Sequence, residues 1–276
     1  MRTRERLLTA GILTAGFGAT GAGLYYGGKH WLARQAARAR AVIGDPHGHV
    51  APMADKTYKV RYGNPIHLSI FGDSIAAGLG AELPHETLGA RLSRKLAKRT
   101  GRAVTLRTAA RPGAESRDLG KQVAWLPADH CPDLAVIIVG GNDVTHRIPV
   151  QESVAHLKEC IEALQARGTQ VIVGTCPDLG ALRSVPQPLR ALGSRASKQL
   201  ASAQLATALA AGARAVSLAT VVGPFFITQP DEMFSLDNFH PSATGYKRTA
   251  KALLPSCLAA LGYADELPLG HHAPAI

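Results

Sequence analysis

Leu134–Val139 is six apolar residues in a row, the pattern of a parallel strand buried on both faces. Other β-patterned runs recur on either side of it, and the spacing predicts further strands over Ile66–Phe71, Ala103–Thr108, Gln170–Gly174 and Ala215–Val221. Between them the apolar period lengthens toward that of a helix. Helices are predicted over Glu86–Arg99, Glu115–Trp125, Val150–Arg167 and Ser194–Ala211, with a last one from Pro241 to near Leu261. Five strands alternating with helices imply an α/β fold, a three-layer α/β/α sandwich around a five-stranded parallel sheet. The globular domain is expected over 63–264, with 265–276 as a tail.

Ahead of the domain the pattern changes. Residues 7–28 are free of charge, and at 1.5 Å per residue they make ~33 Å of helix, enough to cross a ~30 Å hydrocarbon core. Tyr25, Tyr26 and Trp31 gather at one end, as interfacial aromatics do, and Gly23 and Gly27 form a GxxxG spacing. A cleaved signal peptide has a similar outline. No clear A-x-A cleavage site follows the run, and basic residues follow instead, so an uncleaved single N-terminal pass is the expectation. The first cysteine is Cys131, which excludes a lipoprotein. The basic start favours export of the domain, although basic residues flank the segment on both sides. Residues 29–62 read as a basic helix and a linker. The helix, Lys29–Ile43, lies along anionic headgroups or serves as a solvated connector; both readings stand.

The charge balance follows this division. The chain carries a net +11. Residues 1–40 hold seven basic side chains against Glu5, a net +6, so more than half of the excess sits in a short N-terminal piece. That distribution and the scarcity of aromatics, 5% of the chain, argue against nucleic acid as a partner. Cys131, Cys160, Cys176 and Cys257 show no metal spacing. Three pairings are open to them, and buried free thiols are the preferred reading. Asp45, His47 and His49 crowd together, but in the linker, so no metal is assigned.

In an open parallel sheet, reactive groups belong outside the carboxyl ends of the strands. Gly72-Asp73-Ser74 ends the first strand, Gly113 follows the second, and Gly140-Gly141-Asn142-Asp143 ends the third. Asp237-Asn238-Phe239-His240 precedes the last helix. Each signal is weak alone. Their order and shared placement make the combination specific.

On GDSIAAG from Gly72, the glycine of AARPGAES, GGND from Gly140 and DNFHPSATGY from Asp237, the chain resembles the SGNH, or GDSL-type, hydrolases over about residues 64–262. The resemblance implies a flavodoxin-like sheet and a serine esterase, lipase, thioesterase or deacetylase. It implies Ser74, Asp237 and His240 as the catalytic set, with an oxyanion hole from Ser74, Gly113 and Asn142. The second block departs from the family, where an Asn commonly precedes the glycine; here the preceding residues are Thr108-Ala109-Ala110-Arg111-Pro112.

The chemistry of these residue types points the same way. A serine hydroxyl needs a neighbouring base, which His240 supplies, and Asp237 can fix its tautomer and stabilise the imidazolium. Backbone N–H groups and a side-chain amide can meet the charge that develops on an ester oxygen. A glycine at 113 permits close approach of the backbone, or serves a Pro-Gly turn. Asp143 is expected to cap the segment after it and Asp73 to order the Ser74 turn. Phe225, Phe226, Met233 and Phe234 line an acyl pocket or pack the loop against the core. The reading is an ester hydrolase without metal or cofactor, acting on a lipid, thioester or acylated sugar. The alternatives are an acyltransferase with the same site and a non-catalytic tethered scaffold.

Overall fold

The computed structural model describes residues 26–39, 41 and 50–274. At its centre four strands stand side by side: β2 (Ile66–Gly72), β3 (Val104–Thr108), β4 (Leu134–Ile138) and β5 (Gln170–Gly174). With β6 (Arg214–Val216) they form the parallel part of one sheet, in the order β3-β2-β4-β5-β6. These are the five strands expected. Two two-residue strands extend the sheet in the antiparallel sense, β1 (Thr57–Tyr58) beside β3 and β7 (His271–His272) beside β6. The sheet is therefore seven-stranded and mixed. Thr57–Tyr58 lies in the stretch expected as linker and His271–His272 in the expected tail, yet both join the sheet because its edges offer them pairing partners. Tyr58 is buried, with its hydroxyl donating to the Ala54 carbonyl at 2.6 Å. His271 Nδ1 lies 2.8 Å from Ser256 Oγ.

Alternation along each strand sends successive side chains to opposite faces. On one face Leu68, Ile70, Val136 and Ile138 meet Leu92 and Leu96 of the Leu88–Thr100 helix and Tyr246 and Leu253 of the Ala243–Ala260 helix. On the other, Phe71, Ile137 and Val173 meet Leu119, Leu157, Ile161 and Ala208. Those come from the helices Leu119–Ala124, Val150–Gln165 and Leu189–Ala210. Two helix layers thus enclose the sheet, the α/β/α sandwich that the alternation of elements implies.

The expected strand Ala215–Val221 ends early. After Val216 the Ser217 N–H donates to the Gly270 carbonyl at 2.8 Å, and the chain turns into the Leu218–Val221 helix. Residues 26–39 are helical, overlapping the helix expected at Lys29–Ile43 but beginning three residues ahead of it, inside the charge-free segment 7–28. Gln35 in this helix is buried and donates through Nε2 to the Gln187 carbonyl at 2.9 Å. Positions 7–25 of the expected membrane segment lie outside the described residues, as do Asp45, His47 and His49. Among the described residues no helix is long and apolar enough to cross a membrane.

Candidate active site

The carboxyl end of β2 makes an abrupt exit from the sheet. Gly72 has φ +126°, and a Cβ placed there would fall 1.7 Å from the Ile138 carbonyl oxygen, so only glycine fits. Gln122 holds this residue on both sides, with Nε2 donating to the Gly72 carbonyl and Oε1 accepting from its N–H. Asp73 then caps a short helix, Ser74–Ala77, by accepting from the Ile75 N–H at 3.0 Å. This is the turn-ordering role expected of Asp73. Ser74 becomes the first helical residue, so its own N–H has no carbonyl of a preceding turn to bond.

The loop ahead of the Ala243–Ala260 helix meets that turn. His240 Nε2 stands 2.9 Å from Ser74 Oγ, and His240 Nδ1 stands 2.6 Å from Asp237 Oδ2. Asp237 is buried, and its other oxygen accepts from the N–H groups of Phe239 and His240 and from Ser235 Oγ. Burial alone would raise this carboxyl. The bond from the His240 ring and those from the two backbone N–H groups outweigh it and hold the group well below the usual carboxylate range. An ionised carboxylate only accepts, so Nδ1 carries the proton and Nε2 faces the serine as an acceptor. Ser242 Oγ caps the following helix, taking the N–H groups of Thr244 and Gly245. Tyr246, fully buried, donates its hydroxyl to the Leu79 carbonyl at 2.5 Å and so straps the serine segment to the histidine segment.

Asn142 sits in the helix Gly141–His146 after β4 and donates one amide hydrogen to the Ala114 carbonyl at 2.9 Å, leaving the second available. It lines the same cavity as Ser74. Gly113 is an exposed residue of the loop after β3, next to the buried Ala114. Its N–H has no acceptor among the described residues. Its φ is +81°, as a Pro-Gly turn requires, and a Cβ there would meet no protein atom within 4 Å. Asp143 does not cap the segment that follows. It is buried and accepts from the Ser116 N–H and from Ser153 Oγ.

A largely apolar cavity of about 80 Å³ opens beside Ser74. Phe226 and Phe234 line it, packed edge to face with ring centres 4.9 Å apart. The other two expected lining residues do not take part. Met233 is fully buried in the core and Phe225 lies under the Arg248 guanidinium, 4.3 Å from the ring centre. Phe239, Leu179, Leu182 and Val222 are also in the wall. Phe239 lies between the two triad residues in the chain, a signal available in the sequence, whereas Leu179 and Leu182 come from a loop that carries no motif.

The cysteines are all free. Cys160, Cys176 and Cys257 are buried and Cys131 is exposed, so the expectation of buried thiols holds for three of four. Burial pushes the Cys160 thiol up to about 12, and Cys176 rises too, through burial and the nearby Asp73, Asp143 and Asp178 carboxylates. Such thiols are poor nucleophiles. Among the described residues no three His, Cys, Asp or Glu side chains group as metal ligands would.

Residues 70–248, which contain every residue of this site, match the model of the GDSL-like lipase/acylhydrolase family. The chain belongs to that family. It is also 39% identical to the GDSL-like esterase Rv1075c of Mycobacterium tuberculosis (strain ATCC 25618 / H37Rv), over 98% of this chain and 88% of that one. It is thus a GDSL-like ester hydrolase. Among solved structures, TesA superposes with a TM-score of 0.56 at 24% identity, covering 70% of this chain and 99% of its own. A lipase/acylhydrolase from Enterococcus faecalis gives the same TM-score and identity over 68% and 93%. These two likenesses show that the sandwich is a fold shared with both structures.

Proposed function

We propose that the protein hydrolyses carboxylic esters through an acyl-Ser74 intermediate. The observation that carries this reading is the unbroken chain Ser74 Oγ to His240 to Asp237, at 2.9 and 2.6 Å. Ser74 Oγ attacks the ester carbonyl while His240 Nε2 takes its proton, and Asp237 stabilises the imidazolium. Negative charge on the carbonyl oxygen is met by the N–H groups of Ser74 and Gly113 and the free amide hydrogen of Asn142. Collapse of this adduct breaks the ester bond, and His240 returns the proton to the departing alkoxide. Water, deprotonated by the same nitrogen, then attacks the acyl-serine and releases the acid and free Ser74.

The cavity beside Ser74 holds the acyl group. Its volume of about 80 Å³ corresponds to a handful of waters at ~10–15 Å³ each, room for a short acyl chain rather than a long fatty one. Residues 7–28 tether the enzyme to a membrane, and the domain lies on the exported side. A panel of nitrophenyl esters from acetate to palmitate tests the reading. The expected result is the highest kcat/KM at the short end, and a maximum at palmitate would contradict it. Full-length protein should stay with membranes through a high-salt wash, which screens headgroup attraction but does not release a spanning helix. Intact full-length protein in the soluble fraction would overturn the tether.

A further inference from the structure

Three consecutive residues of the loop after β3 bond three residues of the helix after β4. The Ala114 carbonyl accepts from Asn142 Nδ2 at 2.9 Å. Glu115 Oε1 accepts from His146 Nδ1 at 2.5 Å, and the Ser116 N–H donates to Asp143 Oδ2 at 3.1 Å. Neither partner is rigid by itself. The helix Gly141–His146 is under two turns long, and Gly140 ahead of it and Arg147 behind it both have positive φ. The loop contains no regular element between Thr108 and Ser116.

Glu115 is the unusual member. It is 5% exposed, whereas the side chains of its partners His146 and Arg117, the latter 2.6 Å from Oε2, are more than half exposed. A buried carboxylate that faces an outward guanidinium and accepts from an imidazole N–H is less screened than a surface pair. Asn142 and His146 are four apart, hence on one face of the helix, and their two bonding partners are adjacent in the loop. The Glu115–His146 bond therefore fixes how far the Ala114 carbonyl stands from the helix. That distance sets the rotation of the Asn142 amide.

We infer that Glu115 and His146 are positioning residues for catalysis: their bond locks the Gly113 loop to the Asn142 helix and aims the free Asn142 amide hydrogen at the oxyanion. The inference rests on Asn142 being an oxyanion donor, as proposed above. Without the bond, the Ala114 carbonyl drifts and the amide turns with it. A misplacement of about 1 Å in such a group can cost up to ~10²-fold in rate.

The test is kinetic, on a soluble short-chain nitrophenyl ester. His146→Ala, a change at an exposed side chain, is expected to lower kcat about tenfold while KM stays within about twofold and the melting temperature is held. His146→Gln, which keeps a donor, should recover most of the loss. In an Asn142→Ala background the same His146→Ala change should cost under about twofold, because the residue through which it acts is gone. Losses that multiply in the double variant, or a His146→Ala enzyme as fast as the parent while Asn142→Ala is slow, would overturn the inference alone. An Asn142→Ala enzyme with the parental rate would overturn it together with the oxyanion assignment.

Discussion

Ser74 Oγ and His240 Nε2 lie 2.9 Å apart although 166 residues separate them in the chain. The sheet brings the serine to the carboxyl end of β2, and a carboxylate three residues before the histidine fixes the ring. Each link of that relay can be cut separately.

Asp237→Asn removes the negative charge and allows the wrong histidine tautomer. The expected loss in kcat is up to ~10⁴-fold, with a smaller change in KM. The same substitution removes an acid-linked contribution to stability. Because the Asp237 carboxyl is depressed in the folded protein, its contribution is full above the ordinary carboxylate range, near pH 4, and is lost as pH falls below it. Urea unfolding from pH 7 to pH 3 should therefore show a steeper acid decline in the parent than in Asp237→Asn. Equal slopes would contradict the assigned hydrogen-bond set.

Asn142→Ala should reduce kcat by about 10²–10³-fold, the usual loss for one oxyanion donor. The fold should survive, since Ser116 and Asp143 still join the two segments. Circular dichroism and steady-state kinetics together check both statements.

Asp73 behaves in the opposite sense to Asp237. Burial, reinforced by the neighbouring Asp143, pushes its carboxyl up to about 6, against the pull of the Ile75 N–H and of His240. A raised carboxyl stabilises the fold when protonated, so its contribution is present below pH ~4 and is lost as pH rises through 6. The loss is at most about 3 kcal/mol, from a rise of roughly two units. Asp73→Asn keeps a side-chain oxygen for the Ile75 N–H and has no such loss. Its stability should exceed that of the parent at pH 7.5 by more than at pH 4.5, as read by urea unfolding.

Strands β2, β4 and β5 were legible because each is long and apolar enough to reveal its burial without knowledge of its neighbours, whereas most of the run Ala215–Val221 that announced β6 is helix. Ser74, Asn142, Asp237 and His240 were legible for another reason, since they follow strand ends or precede a helix in the order that the family motifs share. What escaped detection depends on contacts across the fold. Thr57–Tyr58 and His271–His272 are too short to show a period, and they are strands only because β3 and β6 offer them free edges. Four aromatic or sulfur side chains ahead of Asp237 looked equivalent in the chain, yet Phe226 and Phe234 face the cavity while Met233 enters the core and Phe225 packs under Arg248. Asp143 follows Asn142 in the chain, but its partners Ser116 and Ser153 are 27 and 10 residues away. No local pattern carries such pairings.

The central claim is that Ser74 is the nucleophile, activated by His240. A fluorophosphonate that forms a covalent adduct with an activated serine tests it most directly, with the modified residue located by mass spectrometry of the digested protein. One adduct is expected, on Ser74, formed quickly in the parent, slowly in Asp237→Asn and not at all in Ser74→Ala. An adduct on any other residue, or undiminished labelling of Ser74→Ala, would contradict it.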